Sequence, residues 1–149
     1  MKKLLAIFMV LLLMVSFAAC GGEEVNAKMK SDVDYEFIAI MLEAAGTESD
    51  MTYWEVDVQG ELFFITFANN GMSDVVKNYK AAGYDENYSG WLYAKETTMK
   101  VYQANIDLIK SLGVENPKCM VDLVNENNHN EVFLSIYNGV IIVDIMKSN

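Results

Sequence analysis

The chain contains no arginine; all 11 of its basic side chains are lysines. The planar fork that grips a carboxylate or phosphate with two parallel hydrogen bonds is therefore missing. Codon bias in an AT-rich genome suffices to explain the gap, so it excludes one recognition chemistry without assigning another. Positive charge is also scarce overall, since the formal net charge is −10. That sign argues against nucleic acid, where affinity rests on neutralising phosphates. It argues equally against lying flat on anionic lipid, which attracts polybasic segments. Histidine and cysteine are scarcer still: one histidine, His129, and two cysteines, Cys20 and Cys119. A zinc site needs three or four His or Cys ligands. Ser–His–Asp or Cys–His catalysis needs a base oriented by a third group. His129 sits in the polar run of residues 125–130, which reads as an exposed hairpin connection. No Gly-rich phosphate loop follows a strand. Most enzyme classes fall away on these absences, and no catalytic residue is expected.

What is present begins at the N-terminus. Met1, Lys2 and Lys3 give a short positive start, residues 4–17 are almost unbroken apolar, and Ala18-Ala19-Cys20-Gly21-Gly22 follows. Charged start, apolar stretch and small-residue junction are the three parts of a secretory signal. With a cysteine at the junction, residues 1–22 resemble a bacterial lipoprotein signal, although Phe17 stands where that pattern usually carries Leu. The resemblance implies that residues 1–19 are removed and that Cys20 is lipidated as the first mature residue. The remainder is then held on the extracytoplasmic face of the bacterial cell membrane, its one membrane partner reached through that lipid. A retained anchor needs about 20 apolar residues. Here the run stops at Ala19 and turns into Gly21, Gly22, Glu23 and Glu24, which favours cleavage. Losing Lys2 and Lys3 takes the charge from −10 to −12. Cys119 is then left without a disulfide partner and reads as a small apolar core side chain.

Residues 20–30 read as the lipidated cysteine and a linker, whose ten residues after Cys20 reach at most about 35 Å. Residues 31–149 read as a single domain, long enough for one core without staples. Ser31 and Asp34 precede a helical stripe of Val33, Phe37, Ile38, Met41, Leu42 and Ala45, and Gly46 supplies the stop. Residues 53–58 alternate, Gln59-Gly60 turns the chain, and 61–67 form the second strand of a hairpin. Ser73 caps a short helix ending at Gly83, and a long helix spans 89–112 with Gly113 behind it. Strands are expected at 119–123, 132–137 and 140–145, the last two joined by Asn138-Gly139, a strong hairpin signal. The two halves resemble each other as helix–strand–strand units, a pattern that a duplication or any helix feeding a half-buried hairpin would produce. The expected fold class is α+β, a mainly antiparallel sheet of about five strands with helices on one face.

Two constellations in the domain invite a functional reading. Asp85, Asn87, Ser89, Gly90, Leu92 and Glu96 follow the spacing of an EF-hand calcium loop, in which alternate oxygens wrap the cation and a final carboxylate closes the shell. Asp85, Asn87, Ser89 and Glu96 would be the ligands of a weak calcium site. Tyr93, Tyr88 and Thr97 depart from the pattern, and the same polar residues serve equally as turn and cap of the long helix. Apart from calcium, no cofactor is expected. Tyr84, Tyr88 and Tyr93 are candidate ligand contacts in an aromatic-rich region, because aromatic faces with polar tips suit a sugar or an extended peptide. The best reading is a lipid-anchored binding or interaction domain for a protein, peptide or glycan. A calcium-dependent version is one alternative. A small hydrolase of the cell envelope using carboxylates such as Asp57 and Asp122 is another. Both aspartates, however, alternate outward beside apolar neighbours and read as a solvated face.

Overall fold

Asp34 opens the first helix as its cap, its Oδ1 accepting the Phe37 N–H at 2.9 Å, which satisfies one free donor of the first turn. The computed structural model describes residues 33–47, 51–85 and 87–145. Ser31, Cys20, the linker and the signal-like segment lie outside the described residues. Helix α1 (Tyr35–Thr47) buries Ile38 and Leu42, one turn apart. Phe37 and Ala45, expected on the same stripe, are exposed, so the contact face is narrower than the apolar pattern. Gly46 lies inside this helix instead of ending it. A Cβ at Gly46 would collide with the Trp54 indole, so this glycine lets the next strand approach the helix closely.

Strand β1 (Tyr53–Gln59) pairs antiparallel with β2 (Leu62–Ala68), Gln59 opposite Leu62. The turn is therefore Gly60-Glu61, one residue later than the sequence suggests. Helices α2 (Met72–Ala81) and α3 (Ser89–Ser111) follow, and β3 (Lys118–Asn125) then lies parallel to β2, with Ile65 opposite Val121. Parallel neighbours need a crossover of a dozen residues or more, and the two helices supply it. Strands β4 (Asn128–Tyr137) and β5 (Val140–Asp144) add on antiparallel, giving the order β1-β2-β3-β4-β5. The fold is α+β with a mixed, mostly antiparallel five-stranded sheet.

Residues directly opposite each other share a face of the sheet. The rows Trp54–Phe67–Leu123–Leu134 and Val56–Ile65–Val121–Ile136 lie on one side, joined by Phe63 and Cys119. They form one core with Ile38 and Leu42 of α1, Val76 and Tyr79 of α2, and Trp91, Ile106 and Ile109 of α3. Two polar residues inside that core look after themselves. Thr98 and Asn105 are buried and donate back to the Ala94 and Val101 carbonyls, both at 2.8 Å.

The β3–β4 hairpin tip does more than connect. Glu126 accepts the Ser73 N–H at 2.9 Å, the Gly71 N–H at 3.1 Å and the Ser73 hydroxyl at 2.7 Å. The start of α2 is thus capped by a carboxylate from 53 residues away in sequence, and Gly71, not Ser73, occupies the N-cap position. A negative charge there also complements the helix dipole. The polar run is not a long loop: Asn125 pairs with Asn128, leaving Glu126-Asn127 as the turn. His129 accordingly lies on a strand, its ring stacked on Tyr53 with centroids 3.6 Å apart. Tyr53 donates to Glu55, and this hydrogen bond together with burial and the nearby carboxylates pushes its pKa up to about 12. The described residues from Val33 to Ile145 cluster as one compact unit.

Candidate interaction surface

Asn138 and Gly139 both adopt positive φ, 46° and 80°, as a two-residue hairpin turn with the right twist requires. The turn sends β5 back along the outer side of β4, where it is the last strand of the sheet. Four consecutive β-branched apolar residues then face solvent: Val140 at 63 % exposure, Ile141 at 38 %, Ile142 at 53 % and Val143 at 39 %. Among the described residues no strand covers their outer edge. Ile141 opposes Ile136 and Val143 opposes Ser135, so Ile142 is the extra residue of a bulge and side chains project to both faces.

The far end of β5 is fastened. Asp144, opposite Leu134 on the helix side, meets the Lys95 ammonium of α3 at 2.9 Å, the two side chains 4 % and 27 % exposed. The same ammonium stands 5.9 Å from the Trp91 ring centroid, within cation–π range. At about 100° per residue, Leu92 and Met99 lie on the flank of α3 next to Lys95. Leu92 is 47 % exposed, a further apolar side chain open to solvent on α3. The opposite edge of the sheet is different: β1 exposes Glu55, Asp57 and Gln59. Charged side chains are the usual protection of a sheet edge against unwanted pairing, and β5 has none from Val140 to Val143.

Of the three tyrosines expected to act together, Tyr84 and Tyr88 meet on one ring and Tyr93 lies apart. Tyr84 packs edge-on against Tyr79 at 5.6 Å and Tyr88 against the same ring at 5.8 Å, with Trp91 behind at 5.9 Å. Tyr88 is half-buried in that cluster and Tyr84 caps it at positive φ. Tyr93, exposed at 68 %, lies two residues beyond Trp91 and so about 200° around α3 from it. The four oxygen residues do not converge either. Asp85 closes a local turn by accepting the Asn87 N–H at 2.9 Å, and Ser89 already begins α3. Seven helical residues later, about 10 Å along the axis, Glu96 pairs with Lys100 at 2.6 Å. That ion pair holds the Glu96 carboxyl below its usual range. Among the described residues, no group of three or more His, Cys, Asp or Glu is placed to hold a metal.

Asp57 and Asp122 both lie on the sheet face away from the helices, in adjacent rows. Only Asp57 is solvated. Asp122, on the central strand, is half-buried, and its Oδ1 is enclosed without a partner. Burial pushes its pKa up, against the opposing pull of a hydrogen bond with Ser135. Alternation correctly gives its face but not its depth, because that face is hemmed in by Phe64, Met120 and Tyr137. Cys119 is fully buried, and burial pushes its thiol up to about 12, a packing thiol and not a nucleophile. A shallow cleft of about 250 Å³ lies between α2 and β4, with Lys77 and Lys80 at its rim and Val76 and Phe133 at its floor.

The strip on β5 is what reading the sequence missed. A continuous run such as Val140-Ile141-Ile142-Val143 is the signature of a strand buried on both faces, and only the strand order reveals that it sits at an edge. The signal was nonetheless there, since four consecutive apolar residues without a polar partner break the alternation of a half-buried strand. No described helix is long and apolar enough to cross a membrane. Compared with known proteins, the chain matches no family model, no curated protein and no solved structure.

Proposed function

We propose that the chain is an exported, lipid-anchored binding domain that holds a polypeptide partner through the apolar strip of β5. One observation carries the binding role: four consecutive exposed apolar residues on a sheet edge with no charge to protect it. Such an edge presents both backbone donors and acceptors and side-chain area, the two ingredients of strand-addition recognition. Large exposed apolar patches on soluble domains generally mark contact sites. The strip is aliphatic, whereas a sugar platform calls for aromatic faces, so a polypeptide suits it better than a glycan. Export and anchoring rest on the apolar segment of residues 4–17 and on Cys20 behind Ala18-Ala19. No catalytic step and no calcium ion enters this reading.

A photoreactive side chain placed at position 142 of the full chain, irradiated in living cells, tests the binding role. The expected result is a discrete polypeptide adduct from position 142 and none from position 59 on the opposite edge. Absence of any adduct at 142, in a chain that still reaches the envelope, would remove the strip as a contact site.

A further inference from the structure

We propose that the cleft between α2 and β4 binds a small aliphatic carboxylate, its anionic head on Lys77 and Lys80 and its hydrocarbon on Val76 and Phe133. The site shares no residue with the β5 strip and does not depend on the role given to that strip. Six lysines lie among the described residues, and three are held in ion pairs: Lys95 with Asp144, Lys100 with Glu96 and Lys118 with Glu61. Of the three that are not, two line this cleft. Val76 and Lys80 stand one turn apart on α2 with Lys77 beside them, so a buried apolar side chain and two exposed lysines share one flank of the helix. The facing strand supplies the rest of the floor. Leu134 opposes Leu123, but Val132 opposes Val124, so Phe133 is the extra residue of a bulge. Two successive strand residues, Phe133 and Leu134, thereby both enter the core, and Phe133 reaches the cleft as well. Bulges re-aim side chains in this way, often beside functional sites.

Charge and size narrow the ligand. Glu131 is the carboxylate on the cleft wall, and its Oε2 already accepts the Asn125 amide at 2.7 Å. Asp74, three residues before Lys77, is exposed and outside the cleft lining. Two lysines against one glutamate leave a single positive charge, which matches one carboxylate and not a dianionic phosphate. Lysine meets it as a point charge and needs no arginine fork. The acidic remainder of the chain does not cancel this local excess, because charges beyond about 8 Å are screened at physiological ionic strength. A cleft of about 250 Å³ corresponds to roughly eight water-sized volumes of about 30 Å³ each, room for a carboxylate on a chain of about six carbons. The cleft is shallow and both lysines stay in contact with solvent, so binding is weak, with a Kd on the order of 1–10 mM.

The test acetylates the full chain in its own membranes with a dilute amine-reactive ester and reads each lysine by mass spectrometry, with hexanoate as the probe. Lys110, the third described lysine outside an ion pair, is the internal reference. Hexanoate at about 20 mM is expected to slow modification of Lys77 and Lys80 by about threefold or more, by simple mass action, and to leave Lys110 unchanged. Hexanol, which lacks the charge, should protect neither lysine, and inorganic phosphate, which lacks the hydrocarbon, should protect them less than hexanoate does. Lys80→Gln, a change at an exposed position, should remove the protection of Lys77, and a circular-dichroism melt of that variant shows that the fold is kept. Equal slowing at Lys110, or phosphate protecting as well as hexanoate, would overturn the site. So would unchanged reactivity at all three lysines, or protection of Lys77 that survives Lys80→Gln.

Discussion

Replacing Asp122 by Asn is expected to stabilise the fold at neutral pH by about 1 kcal/mol, the scale of an unsatisfied buried polar group. Burial raises the folded-state pKa of Asp122 above its ordinary value of 3.8, and the Ser135 hydrogen bond only partly offsets it. The folded protein therefore binds this proton more tightly than the unfolded chain does. Stability from this group is present below pH 3.8 and is lost as pH rises through the raised folded value. Urea midpoints of D122N and wild type should thus differ at pH 7 and converge towards pH 3.5. Glu126 has the opposite sign. Burial alone would raise its pKa, but hydrogen bonds from the Ser73 side chain and from backbone N–H groups, including those of Ser73 and Gly71, outweigh it and hold the carboxyl below its ordinary 4.5. Its contribution is present above pH 4.5 and fades as pH falls through the lower folded value. Glu126→Ala leaves the start of α2 without its acceptor and should cost about 1–2 kcal/mol at pH 7, with a smaller loss in acid, read from the same urea titrations.

At the scale of single elements, the fastening of β5 is the contact most open to test. Lys95→Ala removes the ammonium beside the 4 %-exposed Asp144 carboxylate. Removing one partner of a fully buried pair costs about 3–5 kcal/mol. Because the Lys95 side chain is 27 % exposed, about 2 kcal/mol is the expected cost here. Hydrogen exchange should show faster exchange in β5 and the facing half of β4, with β1 and β2 unchanged. The elements themselves were largely legible: period-3.6 stripes marked α1 and α3, and alternation marked β1. What escaped were features made by partners distant in sequence. The cap of α2 comes from Glu126, so the local Ser73 misled. The polar run 125–130 became a two-residue turn because Asn125 and Asn128 pair across it. Gly46 reads as a helix stop, yet it serves the approach of Trp54.

For the whole molecule, the class and strand number followed from counting apolar periodicities, but the arrangement did not. Nothing local announces that β2 and β3 run parallel; that follows only from α2 and α3 carrying the chain back across the helix side of the sheet. The same strand order turns residues 140–143 from a buried-looking run into an exposed edge. The period of α3 separates Tyr93 from Tyr84 and Tyr88, and its rise sets Ser89 and Glu96 apart along one helix. Sequence spacing placed those residues close in number, and the helix placed them apart in space. The domain that results has one face packed by helices, one edge protected by charge, and one edge left apolar. On this acidic body, the apolar edge is the surface we propose for a partner.

The anchoring that puts the edge to use is the central claim, and labelled palmitate incorporation into the full chain tests it most directly. Label is expected on the wild-type chain in the membrane fraction, accessible to protease added outside the cell. Cys20→Ser should abolish the label while leaving the domain folded. An unlabelled chain recovered from the cytoplasm would contradict it.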